Sequence, residues 1–502
     1  MAQAILQLVS ELDAVVRMLR LVLGHAARGK ALRAGVPQCS ARTAATSAQL
    51  QHYQETISSG LRARLAGLAE AGDQASEQAH VAVVGHHSPE FAAVLRAARA
   101  AGAAVAPVDL QACEPDDLTE RLAEMKVDMA ITSASGKSAE ATVMNAARRL
   151  GATWASAASL RQTGTDIAVA LDVPESKAAP LFLFSTSPSS SAVRAACIPD
   201  SALSSRIASA VSLWGMTSDD TVLSLGLRSD IPAAVVDALE APLAVGAAVA
   251  MPEQQPSRAL VLWDLWAALR DEPATTIVFV AAEWCQHLVN SYAELSAPLR
   301  DEFSRRWAKQ PFRHTVAVAG EGEVPSAELA ESWARIFGSP LTWHFSCPEA
   351  GSLYVVDSSD GMSMHSAFGS QGTEWSLSEP DGELLVRRGG VFEGYHDRPR
   401  STSEAFTDDG FCRTGHRAVL DDITGALRPQ PLDWEHALEE ETFRHLHRGP
   451  SWEKLGMAYH WRVKRVLMRR YWYWKPKKGY PIITKKDLKN AKNLVYRSRY
   501  KN

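Results

Sequence analysis

Apolar runs separated by helical patterns recur along most of the chain. The first, VAVVG at Val81–Gly85, is followed by SPEFAAVLRAARAAGAAVAPVD, in which a helix pattern leads into another apolar run. Short continuous apolar runs predict strands buried on both faces, which is typical of parallel βαβ units. The same reading predicts strands at Val127–Thr132, Leu181–Phe184, Thr276–Val280 and Thr315–Ala319, and helices at Glu140–Leu150 and around Trp284–Leu295. The predicted fold class is therefore α/β with doubly wound sheets.

Residues 1–79 differ from this pattern and are predicted to form an N-terminal helical region. Its start, MAQAILQLVSELDAVVRMLRLVLG, is amphipathic and precedes an Ala, Ser and Thr-rich segment. This is typical of a mitochondrial targeting segment, although Glu11 and Asp13 are unusual in one, and an ordinary N-terminal helix explains it equally well. We predict a mitochondrial location. The longest apolar runs, such as Ala241–Met251, are far shorter than the ~20 residues needed to cross a bilayer, so no membrane span is expected.

Charge is distributed very unevenly along the chain. Residues 451–502 contain 16 Lys and Arg but only Glu453 and Asp487 as acids, a local charge of +14, while residues 1–450 carry 37 basic and 55 acidic residues, a charge of −18. Residues 426–450 read as a polar, acidic linker between the two parts. A basic tail on an acidic body predicts binding to nucleic acid or another polyanion.

Cysteine spacing indicates a reducing compartment. The six cysteines are scattered, with no CxxC pair and no clustered Cys and His spacing of a zinc site. His436, His445 and His447 lie close together but have no accompanying ligand pattern. No metal and no other cofactor are predicted.

The basic tail is also rich in aromatic residues. A helix pattern from Trp452 to Val466 gives way to YWYW at 471–474 and then to KPKKGYP, in which two prolines and a glycine break the helix. Cations that neutralise phosphates, interleaved with rings that stack on bases, are typical of RNA binding. The residues predicted to contact RNA are Arg462, Lys464, Arg465, Arg469, Arg470, Tyr471, Trp472, Trp474, Lys475, Lys477, Lys478, Lys485, Lys486, Arg497 and Arg499. Docking on an acidic protein, or on an anionic membrane surface, is the alternative for the same tail.

Four ordered segments of the body carry a resemblance to a known family. They are Val81–Asp109, LAVGAAVAM at 243–251, GEGEVPSAELAESWARIFGSPLTWHFSCPEAG at 320–351 and DGELLVRRGGVFEGYHDRPRSTSEAFTDDGFCRTG at 381–415. In this order they resemble the adenylate-forming enzymes, the acyl-CoA synthetase family, over roughly residues 80–425. The resemblance implies the large N-terminal domain of that family. The family's smaller C-terminal domain, which carries a catalytic lysine, has no counterpart in the sequence after about residue 425.

The resemblance also locates a nucleotide site whose motifs are degenerate. The family has a Gly-rich phosphate loop with a lysine near its end. In this chain Ser187 and Ser190 stand at two of the glycine positions, Val193 stands at the lysine position, and Arg194 follows. Loss of the glycines removes the backbone freedom that a phosphate cradle requires. Glu349 is retained at the metal-binding carboxylate position, but His416 replaces the aspartate that anchors the ribose. The resemblance therefore implies a pseudoenzyme.

These observations predict a non-catalytic structural component of a ribonucleoprotein. Its body at 80–425 is an acyl-CoA synthetase-like pseudoenzyme, and its tail at 451–502 binds rRNA and neighbouring ribosomal proteins, with a mitochondrial ribosome as the expected assembly. No small-molecule substrate is expected. Two alternatives stay open: an acyl-CoA or carboxylate ligase with residual activity, and an accessory subunit of a mitochondrial respiratory complex.

Overall fold

The computed structural model describes residues 44–45, 54–62, 64–65 and 78–429, the last range with gaps at 111–112, 114, 134–136, 168–178, 187–192, 252–260, 273, 320–325, 358–362, 367–373, 379–381, 388 and 421–426. The chain divides into two compact units, Met1–Leu432 and Asp433–Asn502, and every described residue belongs to the first. The predicted RNA-binding residues of 451–502, most of the predicted linker, and the start of the N-terminal region lie outside the described residues.

Nineteen strands occur in the described part of the chain. They are β1 Ala44–Ala45, β2 His80–Gly85, β3 Ala104–Asp109, β4 Met129–Thr132, β5 Thr153–Ser156, β6 Leu181–Thr186, β7 Val193–Ile198, β8 Thr221–Leu225, β9 Ala248–Ala250, β10 Ile277–Ala281, β11 His314–Ala319, β12 Leu341–Cys347, β13 Gly351–Asp357, β14 Ser363–Ser366, β15 Glu374–Leu377, β16 Glu383–Arg387, β17 Gly394–Tyr395, β18 Cys412–Leu420 and β19 Leu427–Pro429.

Helices connect most of the parallel strands. They span Pro89–Ala100, Pro115–Glu124, Lys137–Arg149, Ala157–Ile167, Asp200–Trp214, Pro232–Val235, Ala241–Ala244, Val261–Asp271, Ala282–Tyr292, Ala297–Lys309, Ala327–Phe337 and Pro399–Glu404, and a π-helical turn occupies Val236–Glu240. Among the residues described, no helix combines the length and apolar character that crossing a membrane requires.

The strands form three sheets. One has the order β17-β7-β6-β3-β2-β4-β5, a second has the order β1-β9-β8-β10-β11-β12-β13-β14, and a smaller one has the order β15-β16-β18-β19. The central strands of both large sheets are parallel, whereas β7, β17, β13, β14 and β1 pair antiparallel at their edges. The predicted α/β class with doubly wound sheets is confirmed, and the sheets are mixed.

The βαβ pattern after residue 80 forms as the sequence predicts. Ser88 caps the helix Pro89–Ala100 by accepting a hydrogen bond from the backbone amide of Phe91 at 3.2 Å, and Pro89 occupies the first turn, where its missing amide is not needed. The apolar face of this helix is fully buried in a core cluster that draws on strands of both large sheets. Residues 54–62 are also helical, and Ile57 and Leu61 are buried in that cluster.

One predicted boundary shifts for a clear reason. The strand predicted to begin at Val127 begins at Met129, because the backbone amide of Val127 bonds to the carbonyl of Leu122 at 3.1 Å and closes the helix Pro115–Glu124. Lys126 takes a positive φ of 50° at this helix end, a position that glycine usually occupies.

Candidate functional site

The turn between β12 and β13 forms the centre of the candidate site. Glu349 lies in this turn and is 6% exposed, and Gly351 follows with φ of 73°. The Arg206 guanidinium donates to the carbonyls of Gly390 at 2.6 Å, Pro348 at 2.8 Å and Glu349 at 2.9 Å. The backbone amide of Phe392 bonds to the Glu349 carbonyl at 2.7 Å. Arg206 therefore fixes the turn against the segment that leads into β17.

The carboxylate of Glu349 is engaged by side chains of the same domain. The Tyr395 hydroxyl donates to Oε1 of Glu349 at 2.6 Å, and both residues are buried. Burial raises the pKa of Tyr395 well above its usual range, and the neighbouring Glu349 carboxylate raises it further. The Arg194 guanidinium carbon lies 4.4 Å from the centroid of the Tyr395 ring. A carboxylate, a phenol and a guanidinium therefore form one cluster.

The hairpin of β6 and β7 brings Arg194 to this cluster. Thr186 is paired with Val193, and Ser185 with Arg194, so the Ser-rich segment connects two antiparallel strands. Val193, at the position of the family's lysine, is 7% exposed and packs in an apolar core cluster. Ser187 and Ser190 lie outside the described residues. The cation at this end of the site is therefore Arg194, one residue beyond the position at which the resemblance places the lysine.

His416 is held on β18 near the same carboxylate. It is 9% exposed, and burial lowers its pKa, with the charge of Glu349 opposing that shift. Its backbone amide donates to Oγ1 of Thr414 at 3.1 Å, and the Thr414 hydroxyl donates to the Leu384 carbonyl at 2.7 Å. The structure thus brings together Glu349 and His416, two residues that the sequence resemblance places in the nucleotide site.

A second buried polar group involves β12 and the π-helical turn. Nε2 of His344 lies 2.9 Å from Oγ of Ser352 and 3.9 Å from Oδ1 of Asp237. The Trp214 indole N–H donates to the same Asp237 oxygen at 3.0 Å. His344 and Asp237 are 0% and 1% exposed. No pattern in the sequence indicates this group, because Asp237 lies in an apolar segment and its partners are distant in the chain.

The chemistry of the Glu349 cluster bears on the binding of a nucleoside triphosphate with its metal ion. Tyr395 already bonds one oxygen of the Glu349 carboxylate. In the part of the chain that the structure describes, no three His, Cys, Asp or Glu side chains are grouped to hold a metal ion. His416 cannot accept from two ribose hydroxyls as a carboxylate does. Tyr395 and Arg206 hold Glu349 and its turn in place, and neither was predicted from the sequence. The GY pair of the 381–415 segment was the signal that could have revealed Tyr395.

Comparison with known proteins agrees with the fold. The AMP-binding enzyme family model matches residues 33–396. The mitochondrial malonate–CoA ligase ACSF3 of Homo sapiens is 28% identical over 243 residues, which are 42% of this chain and 41% of that protein, and the Mus musculus protein is 27% identical over 254 residues. The alignment therefore spans about two-fifths of the length of these curated relatives.

Solved structures resemble the chain over a larger part of its length. ATP-bound MatB from Rhodopseudomonas palustris superposes with a TM-score of 0.57 at 17% identity, covering 75% of this chain and 72% of that one. The N-terminal domain of FACL13 from Mycobacterium tuberculosis superposes with a TM-score of 0.60 at 18% identity, covering 76% of this chain and 92% of that domain. Identities this low support the fold alone. Because the family model covers more than half of the sequence, the chain belongs to the AMP-binding enzyme family.

Proposed function

We propose that the described domain is a pseudoenzyme of the AMP-binding family that does not form acyl adenylates. The observation that carries this proposal is the hydrogen bond from Tyr395 to the buried Glu349 carboxylate, which engages Oε1 of the group that would hold the metal ion. Val193 is buried in the core, and in the family resemblance His416 stands where a carboxylate anchors the ribose. Loss of one positioned electrostatic group typically costs two to three orders of magnitude in rate, so several losses together leave little activity.

For the whole chain, we propose a structural role in a mitochondrial ribonucleoprotein. Support comes from the composition of residues 451–502, where 16 basic residues and clustered Trp and Tyr suit rRNA and neighbouring ribosomal proteins. The matching ACSF3 relatives are named as mitochondrial proteins, which supports the location only. In this proposal the family domain contributes a folded, acidic body and the tail makes the specific contacts.

Sedimentation of the epitope-tagged full chain from a mitochondrial lysate tests the structural role. We expect the protein to comigrate with a ribosomal subunit and to leave that fraction after RNase treatment. Comigration with an RNase-resistant complex would instead favour an accessory subunit of a respiratory complex. A chain ended after Pro450 should lose incorporation while its body keeps the thermal unfolding transition of the full protein. Incorporation of that truncated chain would overturn the assignment to the tail.

A second candidate is a carboxylate–CoA ligase with residual activity. The printed names of the curated relatives support it, since they are malonate–CoA ligases, and the comparisons bear on this candidate more directly than on the ribonucleoprotein. Arg194 favours it further, because it lies over the Tyr395 ring, next to the partner of Glu349, and a guanidinium group is a typical phosphate ligand. An ATP-dependent rise in the melting temperature that Arg194→Met abolishes would support the ligase, and no ATP-dependent shift in either protein would exclude it.

A further inference from the structure

The segment that carries Tyr395 into the site is a short edge strand. β17 pairs with β7, and its flanking amides extend the pairing: Glu393 donates to the Cys197 carbonyl at 2.9 Å and His396 to the Ala195 carbonyl at 2.8 Å. Because Tyr395 lies between these bonds and reaches Glu349, displacement of β17 would withdraw the phenol from the site.

Asp397 and Arg398 bind the end of the helix Pro115–Glu124. Arg398 pairs with both carboxylate oxygens of Glu124, at 2.9 Å from Nε and 2.5 Å from Nη2. Lys126 Nζ lies 2.6 Å from Oδ2 of Asp397. Lys126 and Asp397 both have φ of 50°, and among the described residues they are the two non-glycine residues with positive φ. Left-handed conformations are unfavourable for L residues, so both members of this ion pair are held in a costly backbone geometry.

His396 lies between these two attachments and faces a second histidine. Its ring centroid is 5.0 Å from that of His80 and 5.3 Å from that of Phe182, with edge-to-face geometry in both contacts. The charged groups that face His396 are Asp397 and Glu124, which favour its protonation, and His80 and Lys126, which oppose it. Asp397 Oδ2 lies 3.5 Å from His396 Nε2. The Asp128 carboxylate accepts a hydrogen bond from the backbone amide of His80 at 2.8 Å.

We infer that the His80–His396 contact is a proton-sensitive latch, which holds residues 394–398 on the helix end when the His396 ring is neutral and releases Tyr395 from Glu349 when His396 is protonated. A positive charge on His396 is opposed by the facing His80 ring and by the Lys126 ammonium group, which lie in the same small region. The inference stands on these contacts and is independent of whether the domain forms adenylates.

The direction of the pH dependence follows from the surroundings of His396. Burial lowers the pKa of His396 below its usual range in the docked segment, although Asp397 opposes this shift. A released segment would return this histidine toward its ordinary pKa of about 6.5. Docking is therefore fully favourable above about pH 6.5 and weakens as the pH falls below that value. In total, the docking equilibrium constant falls about tenfold for each unit by which docking lowers the pKa of His396.

Amide hydrogen exchange of the full chain tests the latch. Peptides covering residues 392–398 are compared at about pH 7.5 and about pH 5.5, after correction for intrinsic exchange and with the buried strand Ile277–Ala281 as an internal reference. We expect protection of 392–398 to fall at the lower pH relative to the reference strand. His396→Phe keeps an aromatic ring beside His80 and Phe182 and should remove most of this loss. His287→Phe, on the helix Ala282–Tyr292, serves as the control and should leave the loss unchanged.

A structural role without proton sensing gives a different result. In that case His396→Phe would change protection by the same factor at both pH values, and this outcome would overturn the latch. Equal protection of the wild-type segment at the two pH values would also overturn it. Where His396→Phe does not fold, His80→Phe provides the second test, because it removes the facing imidazole that opposes protonation of His396 and should also reduce the loss.

Discussion

Tyr395 and Glu349 are joined by a 2.6 Å hydrogen bond between a buried phenol and a buried carboxylate. The bond connects β17 to the β12–β13 turn, two parts of the chain that Arg206 also ties together through the carbonyls of Gly390 and Glu349. The carboxylate that the family resemblance assigns to a metal ion is thereby used within the protein. The Tyr395 side chain consequently links the stability of the domain to the hydrogen bonding of the Glu349 carboxylate.

Removing the phenolic hydroxyl should destabilise the domain. Tyr395→Phe leaves the Glu349 carboxylate buried with one donor fewer, which we expect to lower the free energy of unfolding by about 1–3 kcal/mol. Urea denaturation at neutral pH measures this change. Tyr292→Phe is the matched control, since that hydroxyl bonds Ser304 at an exposed position, and its effect should stay within about 0.5 kcal/mol. Equal effects of the two substitutions would show that the Glu349 contact contributes little.

A buried histidine next to the first βαβ unit should make the domain sensitive to acid. His87 is 2% exposed, both of its ring nitrogens lack a hydrogen-bond partner, and burial lowers its pKa to about 4. Because the folded-state pKa lies below the unfolded value, its stabilising contribution is present above about pH 6.5 and is lost as the pH falls toward 4, by about 3 kcal/mol in total.

His87→Leu should separate this contribution from others. The variant has no ring to protonate and leaves no polar atom unpaired, so we expect its stability near pH 7.5 to lie within about 1 kcal/mol of the wild type. Below about pH 6 its unfolding free energy should fall less steeply than that of the wild type. Denaturation across this range measures both quantities, with His287→Leu as the control. Parallel pH profiles of wild type and His87→Leu would contradict the role of this ring.

Gly226 permits a close approach of backbone and indole after β8. Its φ is 62°, and a Cβ at this position would lie 2.7 Å from Cδ1 of Trp284. We expect Gly226→Ala to lower the unfolding free energy by about 2–3 kcal/mol, because backbone strain and a steric clash add together. Gly151 also has a positive φ, of 72°, but a Cβ there would meet no atom within 4 Å. Gly151→Ala should therefore lower the unfolding free energy by only about 1 kcal/mol. Denaturation of both variants measures the two losses, and their difference gives the cost of the clash with Trp284.

The Asp237 carboxylate should be important for the stability of the core. Asp237→Ala leaves the indole N–H of Trp214 buried without its acceptor, which we expect to cost about 1–3 kcal/mol, and it also removes the carboxylate beside His344. Asp116→Ala removes an exposed partner of Arg149 and should change stability by less than about 0.5 kcal/mol. Similar melting temperatures for the two variants would show that the buried group is not stabilising.

Local patterns in the sequence were sufficient to predict much of the fold. The strands β2, β3, β6, β10 and β11 follow from continuous apolar runs, and the helix Pro89–Ala100 follows from Ser88 and Pro89 at its start. These signals involve residues close together in the chain. The π-helical turn Val236–Glu240 could not be predicted in this way, because its apolar sequence does not distinguish it from an ordinary helix.

The candidate site was only partly predictable because its contacts join distant segments. The family resemblance assigned Glu349 and His416 to one site, and in the structure the charge of Glu349 acts on the pKa of His416. It did not indicate that Val193 points into an apolar core cluster while Arg194 stacks on Tyr395, since that depends on how β7 meets β17. The pairing of His80 with His396 depends on the same junction and has no signature in the sequence.

ATP–pyrophosphate exchange by the purified full chain, supplied with Mg²⁺ and a series of carboxylic acids that includes malonate, tests most directly whether the domain forms adenylates. We expect exchange with each acid to equal that of the blank without acid, and Arg194→Met to give the same value, because Val193, His416 and the engaged Glu349 leave the triphosphate without its required partners. Acid-dependent exchange in the wild type that is lost in Arg194→Met would contradict the pseudoenzyme assignment and establish a ligase.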